Sequence, residues 1–161
     1  MAFIGAHVSI SKGIHTVFET ANKIGANALA FFVSSPRRWS SHDLAQKEID
    51  LFSAAQRSSD FDIKKIVVHG SYLINLVSDN SALREKSYLA FINELKKCEM
   101  LGIQLYTFHP GSCSDTCLAS NALVILANTL NRAIKETNFI NILIETMVIL
   151  YNLGRAREYN L

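Results

Sequence analysis

The sequence predicts an α/β protein that forms an incomplete TIM (β/α)8 barrel, with about five of the eight βα units. Five short apolar runs of strand-like composition alternate with stretches of helical spacing. The strand starts lie 25 to 39 residues apart, the length that one strand, a crossover helix and two loops need. Polar residues follow the apolar runs, and this favours a barrel over an open doubly wound sheet.

The strands are predicted at the five apolar runs, residues 3–8, 28–33, 64–68, 103–108 and 140–144. Between them, apolar residues recur every three or four positions, which predicts amphipathic helices at residues 12–24, 43–58, 82–101 and 119–136. A complete barrel needs about 250 residues. The sequence has 161 residues and reaches only the fifth strand. We therefore expect three strands and their helices to be missing.

Composition and charge narrow the possible classes of protein. Hydrophobic residues make up 49% of the sequence and charged residues 19%, which indicates a globular rather than a disordered chain. The formal net charge of +2 is too small to indicate a nucleic-acid partner by itself. No apolar run is long enough to span a bilayer, and the N-terminus lacks the charged segment of a signal peptide. We expect a cytoplasmic protein with no membrane partner.

The cysteines do not indicate a disulfide framework or a zinc ribbon. Cys98, Cys113 and Cys117 are odd in number and lack paired CxxC spacing. We expect reduced thiols, with Cys98 buried on a helix.

Three of the predicted strands lead directly into residues that commonly bind metal ions. The run KKIVV precedes His69, LYTF precedes His109, and NILI precedes Glu145. Because parallel strands end at one edge of a sheet, two imidazoles and one carboxylate are expected to converge there. This set suits zinc or manganese and leaves positions open for water. A carboxylate at the end of an apolar strand also needs a cation nearby.

The ends of the first two strands carry further candidates. His7 is either a metal or phosphate ligand, or a core or capping histidine. Arg37 and Arg38 stand beside Trp39, the only tryptophan. Such a cluster can contact phosphate and stack on a base or a sugar. Its structural alternative is a loop in which Trp39 packs against the barrel.

The loops after the third and fourth strands also have two interpretations. Tyr72 and Leu73 either pack within their loop or wedge between bases. Pro110 fixes the backbone beyond His109, which would hold the imidazole still. In contrast, we expect the pairs Lys64–Lys65 and Lys96–Lys97 to form a solvated face away from the strand ends.

Five motifs together resemble the endonuclease IV family of apurinic/apyrimidinic endonucleases, the AP endonuclease 2 family. They are IGAHVS, SSPRRW, HGSYLINL, FHPGS and ILIET, in family order over residues 1 to about 147. The resemblance implies a xylose isomerase-like barrel with three zinc ions at the C-terminal ends of its strands. It also implies a DNA repair enzyme of base excision, which hydrolyses the phosphodiester 5′ to abasic sites in double-stranded DNA.

The resemblance assigns roles to the candidates. His69, His109 and Glu145 match the protein ligands of one zinc, and Glu145 also matches a catalytic carboxylate that bridges to a second ion. Arg37, Tyr72 and Leu73 match loop residues that enter the duplex where the abasic nucleotide is flipped out. His7 and Trp39 remain further candidates. The implied reaction is metal-assisted displacement at phosphorus.

The sequence departs from the family pattern after Glu145. Bulky residues at 146–151 replace a glycine-rich loop, and the family ligands of the sixth to eighth strands have no counterpart. We expect residues 1–147 to form the barrel portion, residues 148–161 to form a divergent tail, and the chain alone to have impaired or no activity.

Three alternatives remain open at this point. The first is an endonuclease of this type with impaired activity. The second is a non-catalytic remnant that binds metal or DNA weakly or is not stably folded. The third is a metal-dependent sugar isomerase, which the loops at 37–39 and 72–73 disfavour. An incomplete barrel would expose apolar side chains and strand edges, so we also expect self-association or a complementing C-terminal fragment.

Overall fold

The fold alternates parallel strands with helices, as the sequence predicts. The structure, a computed structural model, describes residues 2–40, 42–114 and 119–146. The strands are β1 (Gly5–His7), β2 (Ala28–Phe32), β3 (Ile66–His69), β4 (Leu105–Phe108) and β5 (Asn141–Ile144). The helices are α1 (Val17–Lys23), α2 (Gln46–Arg57), α3 (Ser81–Met100) and α4 (Ala119–Glu136). Short 3-10 turns at Ile14–Thr16 and Ile63–Lys65 precede α1 and β3. The predicted tail at 148–161 lies outside the described residues.

The strand order identifies the architecture as part of a barrel. The five strands are parallel and lie in the order β1-β2-β3-β4-β5. A doubly wound sheet reverses its strand order at a switch point, whereas a barrel adds each new strand beside the previous one. The predicted fold class is therefore confirmed. Within the described ranges, β1 and β5 form the two edges of the sheet.

The strand register aligns the three predicted ligands. His69 pairs with Phe32 of β2 on one side and Thr107 of β4 on the other. Phe108 pairs with Ile144, and the backbone N–H of Glu145 donates to the carbonyl of Phe108 over 3.0 Å. His109 and Glu145 therefore follow paired residues and emerge at the same sheet edge as His69.

Aromatic packing between the sheet and the helices forms much of the core. Phe31 of β2 and Phe52 of α2 are fully buried with ring centroids 6.2 Å apart, and Phe18 of α1 lies 5.0 Å from Phe52. A second group joins Phe91 of α3 to Phe108 of β4 at 4.9 Å. Each such buried ring contributes about 2–3 kcal/mol relative to an exposed one. This packing fixes the strands whose ends carry the candidate site.

Apolar side chains are exposed at the β5 edge. Leu143 and Ile144 of β5 are 42% and 47% exposed, although strand residues of a closed barrel pack against neighbours, and Phe139, just before the strand, is 43% exposed. None of the helices in the described ranges is both long and apolar enough to cross a membrane.

One of the predicted surface lysines is buried. Lys96 is exposed, but Lys97 is 2% exposed, so its prediction as part of a solvated face is wrong. The reason is that its Nζ reaches inward from α3 and donates to the Ser34 hydroxyl over 3.2 Å. Cys98, the next residue, is buried as predicted, and burial raises the pKa of its thiol.

Candidate metal centre

The site begins where β3, β4 and β5 end. His69 is the last residue of β3, and His109 and Glu145 are the first residues after β4 and β5. One ligand atom from each of these side chains lies within 4.8 Å of the other two. The structure therefore brings together the three residues that the sequence predicts as ligands. Their role in metal binding stays a prediction.

One pair in this group has the spacing of two ligands on one ion. The Nε2 atom of His69 and the Oε2 atom of Glu145 are 3.1 Å apart. Zinc binds nitrogen and oxygen at about 2.0–2.2 Å in tetrahedral geometry, which places two ligand atoms about 3.4 Å apart. The His69 side chain is 12% exposed and the Glu145 side chain 46% exposed, so the position between them is open on one side.

The hydrogen bonding of His69 favours a cation between these two atoms. Its Nδ1 lies 2.8 Å from the backbone carbonyl oxygen of Gly70. A carbonyl only accepts, so Nδ1 carries the proton, and in a neutral ring Nε2 presents a lone pair. That lone pair would face a carboxylate oxygen. Two acceptors at this distance require a shared metal ion or an additional proton. A backbone partner on the second nitrogen is also how metal-binding histidines are commonly oriented.

His109 contributes a polar atom without a partner. Its Nδ1 is buried and has no hydrogen-bond partner among the described residues. Buried polar atoms are nearly always satisfied, so an orphaned one indicates a missing ion or water. The His109 and His69 rings lie 5.1 Å apart at their centroids. Two imidazoles and one carboxylate are ligands that a divalent ion such as zinc prefers, so the residues present fit such an ion.

Aromatic rings surround the ligands on the β2 side. Tyr72 is 55% exposed. Its ring lies 5.1 Å from that of Phe32 and 5.7 Å from that of His69, and it stacks at 6.2 Å on His109. The ring therefore covers part of the ligand group while presenting its outer face to solvent. Leu73, the next residue, is only half-buried and points less into solvent than Tyr72.

His7 lies beside the ligand group but outside the convergent set. Its ring centroid is 4.5 Å from that of Phe32 and 6.0 Å from that of His69. Although its side chain reaches solvent, this packing partly desolvates the ring. Desolvation, with a smaller contribution from His69, lowers the pKa of His7. A neutral His7 is thereby favoured next to the site.

The loop after β2 supplies cations to a surface that we call the rim, which consists of Arg37, Arg38, Trp39, Tyr72 and Leu73. Arg37 and Arg38 are exposed, and Trp39 is half-buried with the Lys86 ammonium 4.5 Å from its ring centroid. Arg38 also lines a groove of about 760 Å³ together with His7 and Phe32. Arg38 therefore lines the same groove as His7, whose ring lies 6.0 Å from that of His69.

Comparison with known proteins identifies the family. A family model described as a xylose isomerase-like TIM barrel matches residues 18–159. The chain belongs to this family.

The relatives of this xylose isomerase-like barrel include endonucleases. Apurinic-apyrimidinic endonuclease 1 of Plasmodium berghei is 38% identical over 143 residues, which are 89% of this chain and 28% of that protein. The probable endonuclease 4 of Campylobacter hominis is 41% identical over 145 residues, 90% of this chain and 51% of that protein. Endonuclease IV from Thermus thermophilus superposes with a TM-score of 0.72 at 28% identity, over 89% of this chain and 51% of that structure. The predicted resemblance to the endonuclease IV family is confirmed, and the chain spans about half or less of each relative.

A buried polar cluster around Glu94 lies behind the ligand group, and the sequence analysis did not predict it. Glu94 of α3 is 3% exposed. One of its oxygens, Oε2, accepts from the Tyr106 hydroxyl at 2.7 Å and from the Ser71 backbone N–H at 3.2 Å. A signal was available, because Glu94 falls on the same helical stripe as Phe91 and Cys98, at spacings of three and four residues.

The burial of Glu94 predicts a pH dependence of stability in the metal-free protein. Desolvation raises the pKa of Glu94 from 4.5 to about 7, against the opposing effects of Tyr106, the Ser71 N–H, Lys97 and His69. Since the folded state holds this proton more tightly, the contribution of Glu94 to stability is complete below pH 4.5 and is lost as the pH rises through 7. The loss is about 3 kcal/mol for such a shift.

Urea unfolding at a series of pH values would measure this effect. We expect the free energy of unfolding of Glu94→Gln to fall less than that of the unmodified chain across this window, because glutamine does not ionise. Glu85→Gln is the matched control, since Glu85 is half-exposed on the same helix and pairs with Arg132. Parallel profiles for the unmodified chain and Glu94→Gln would contradict the prediction.

Proposed function

We propose that this chain contributes a zinc site and a DNA-contacting rim to a nuclease that hydrolyses the phosphodiester 5′ to abasic sites in double-stranded DNA. The single observation that carries the proposal is the convergence of His69, His109 and Glu145 at the ends of neighbouring strands. The relatives, an apurinic-apyrimidinic endonuclease and a probable endonuclease 4, support this class of reaction and substrate.

Each ligand has a defined task in this proposal. His69, with its Nδ1 proton held by Gly70, directs the Nε2 lone pair at the ion. Glu145 supplies a negative charge 3.1 Å from that lone pair, and His109 completes the set from the β4 end. A bound zinc would supply Lewis-acid chemistry, polarising a phosphoryl oxygen and lowering the pKa of water.

The rim fits a duplex that is opened at one nucleotide. Arg37 and Arg38 are exposed cations that can contact phosphates on either side of the lesion. The exposed Tyr72 ring can occupy the gap that an abasic sugar leaves, because base stacking on aromatic rings is favourable by about 1–3 kcal/mol. Leu73 and Trp39 would extend this apolar surface. A DNA substrate also fits the predicted cytoplasmic location.

A second candidate is a fragment that binds metal and DNA without cleaving it. This candidate is favoured by the number of convergent ligands. The described residues supply three, which are enough for one metal ion but too few for a cluster of several ions. The exposed apolar residues at the β5 edge, Phe139, Leu143 and Ile144, support partner association there, either with a second copy or with a polypeptide that carries further barrel strands.

Binding and cleavage of a 5′-labelled duplex with one abasic site test the proposal. With equimolar zinc, we expect the unmodified chain to bind this duplex at least about tenfold more tightly than an intact duplex, and Tyr72→Ala to lose most of the preference. His15→Ala is the control variant, since His15 lies in the 3-10 turn before α1 and not in a loop at the strand ends.

The outcomes separate the two candidates. Zinc-dependent cleavage on the 5′ side supports the nuclease. Preferential binding without cleavage supports the metal- and DNA-binding fragment. Equal affinity for abasic and intact duplexes, or no affinity for either, contradicts the proposed substrate.

A further inference from the structure

A cluster of buried charged and hydroxyl groups lies beneath the rim. Glu94 and Lys97 of α3 are 3% and 2% exposed, and Tyr106 of β4 is fully buried. Burying ionisable groups is unfavourable unless they are paired, and apolar residues of similar volume would often stabilise such a position equally well. The cluster therefore needs an explanation other than the stability of the core.

Glu94 holds the loop after β3. Its Oε2 accepts two hydrogen bonds, from the Tyr106 hydroxyl at 2.7 Å and from the Ser71 backbone N–H at 3.2 Å. Gly70 makes this approach possible, since a Cβ at that position would lie 2.5 Å from the Tyr106 oxygen. The carboxylate thus fixes the backbone one residue before Tyr72.

Lys97 holds the loop after β2. It lies on the same face of α3, one turn beyond Glu94, and its Nζ donates to the Ser34 hydroxyl over 3.2 Å. Coulombic attraction between Lys97 and Glu94 connects the side chain that contacts the loop after β2 with the one that contacts the loop after β3. A single helix therefore contacts both rim loops.

The two loops are also joined directly. The carbonyl oxygen of Pro36 accepts from the Ser71 hydroxyl at 3.1 Å and from the Tyr72 N–H at 3.2 Å. Pro36 immediately precedes Arg37 in the chain. The backbones that carry Arg37 and Tyr72 are consequently connected to each other and to Glu94.

We propose that Glu94 is a positioning residue that, through Tyr106, Lys97 and the Ser71–Pro36 contacts, sets the placement of Tyr72 relative to Arg37 at the rim. The inference rests on the proposed function, because these are the two side chains assigned to the duplex there. Glu94 touches neither the ligand group nor the substrate. Its effect is to keep a stacking ring and a phosphate-binding cation at a fixed separation, so that a duplex meets a preformed surface.

Hydrogen–deuterium exchange of the free protein tests this inference without DNA. In Glu94→Ala we expect the amides of residues 70–74 and 34–38 to exchange at least about tenfold faster than in the unmodified chain. Glu94→Gln should restore slow exchange in residues 70–74, because both donors meet one oxygen and an amide oxygen can accept both. Glu85→Gln serves as the control on the same helix.

Residues 51–55 of α2 serve as an internal reference, since α2 packs chiefly against the turn before α1. Faster exchange at the reference as well as in the loops would indicate general destabilisation and overturn the proposal. Unchanged exchange in residues 70–74 would overturn it too. If Glu94→Ala fails to fold, Lys97→Met replaces it, with faster exchange expected in residues 34–38 and unchanged exchange overturning the link to that loop.

A duplex measurement separates this inference from the proposed function. Affinity for the abasic duplex is compared among the unmodified chain, Glu94→Ala and Glu94→Gln. If the unmodified chain shows no preference for abasic DNA, the proposed function fails, while the exchange result still decides whether Glu94 positions the loops. If the preference exists, Glu94→Ala should lose it and Glu94→Gln should retain it, and a preference retained in Glu94→Ala overturns the inference.

Discussion

Replacing His109 with alanine is expected to weaken zinc binding by at least about 100-fold, because loss of a partner that only supports a ligand already costs about 10–100-fold. His109 is one of three convergent side chains, and its Nδ1 is buried without a partner among the described residues. Removing the ring leaves one histidine and one carboxylate, too few protein ligands for a stable zinc site.

Isothermal titration of the metal-free chain with zinc measures this change. We expect one zinc per unmodified chain and none at comparable affinity for His109→Ala. His15→Ala is the matched control, because His15 lies in the 3-10 turn before α1 instead of at a strand end. A stoichiometric, equally tight zinc in His109→Ala would remove this residue from the ligand set. Far-ultraviolet circular dichroism of each variant establishes that the fold is unchanged.

Gly111→Ala is expected to destabilise the chain by about 3 kcal/mol or more, because left-handed strain and overpacking add together. Gly111 has a φ of +97°, which an L side chain rarely adopts. A Cβ there would also collide with the Asn75 side-chain oxygen and lie 2.7 Å from the Asn75 Cα, which cannot move aside cheaply. The side-chain amide of Asn75 stabilises this loop, because it donates to the Ser112 carbonyl oxygen over 2.8 Å.

Gly102→Ala separates the free-energy cost of backbone strain from the cost of the steric contact with Asn75. Gly102 also has a positive φ, of +72°, but a Cβ at that position meets nothing within 4 Å. Its substitution should therefore cost only the backbone strain, about 1 kcal/mol. Urea unfolding of both variants measures the difference. Equal losses would show that the contact with Asn75 is relieved by movement of the loop. In that case, the zinc affinity of Gly111→Ala would show whether the loop movement has displaced His109, two residues earlier.

The fold could be predicted from the sequence because its signals are local and repeated. Each strand is an apolar run, each helix has a regular apolar stripe, and the parallel order follows from the spacing. The same logic predicted that His69, His109 and Glu145 would meet, since parallel strands end at one edge. The strands themselves are shorter than the apolar runs, as in β1, where only Gly5–His7 pairs with β2.

The contacts that support the rim could not be predicted in this way, although the apolar stripe of α3 indicated that Glu94 is buried. Lys97 and Glu94 are charged residues in a helix, and charge alone favours the solvated face, which made the prediction for Lys97 wrong. Their burial depends on where Ser34, Ser71 and Tyr106 lie, and these come from three different segments of the chain. The Pro36 carbonyl oxygen accepts two hydrogen bonds from the loop after β3, and these depend on how close the two loops lie. No local sequence pattern encodes that distance.

The sequence separation of the ligands has a consequence for folding. His69 and Glu145 lie 76 positions apart, yet their ligand atoms are 3.1 Å from each other. An ion held between them would act as a reversible crosslink that closes a long loop and ties the edge strand β5 to the interior strand β3. Crosslinks of this kind stabilise chiefly by restricting the unfolded chain, and a metal held only by the folded state stabilises it by mass action. The supply of zinc would then set how firmly the last strand of the sheet stays docked.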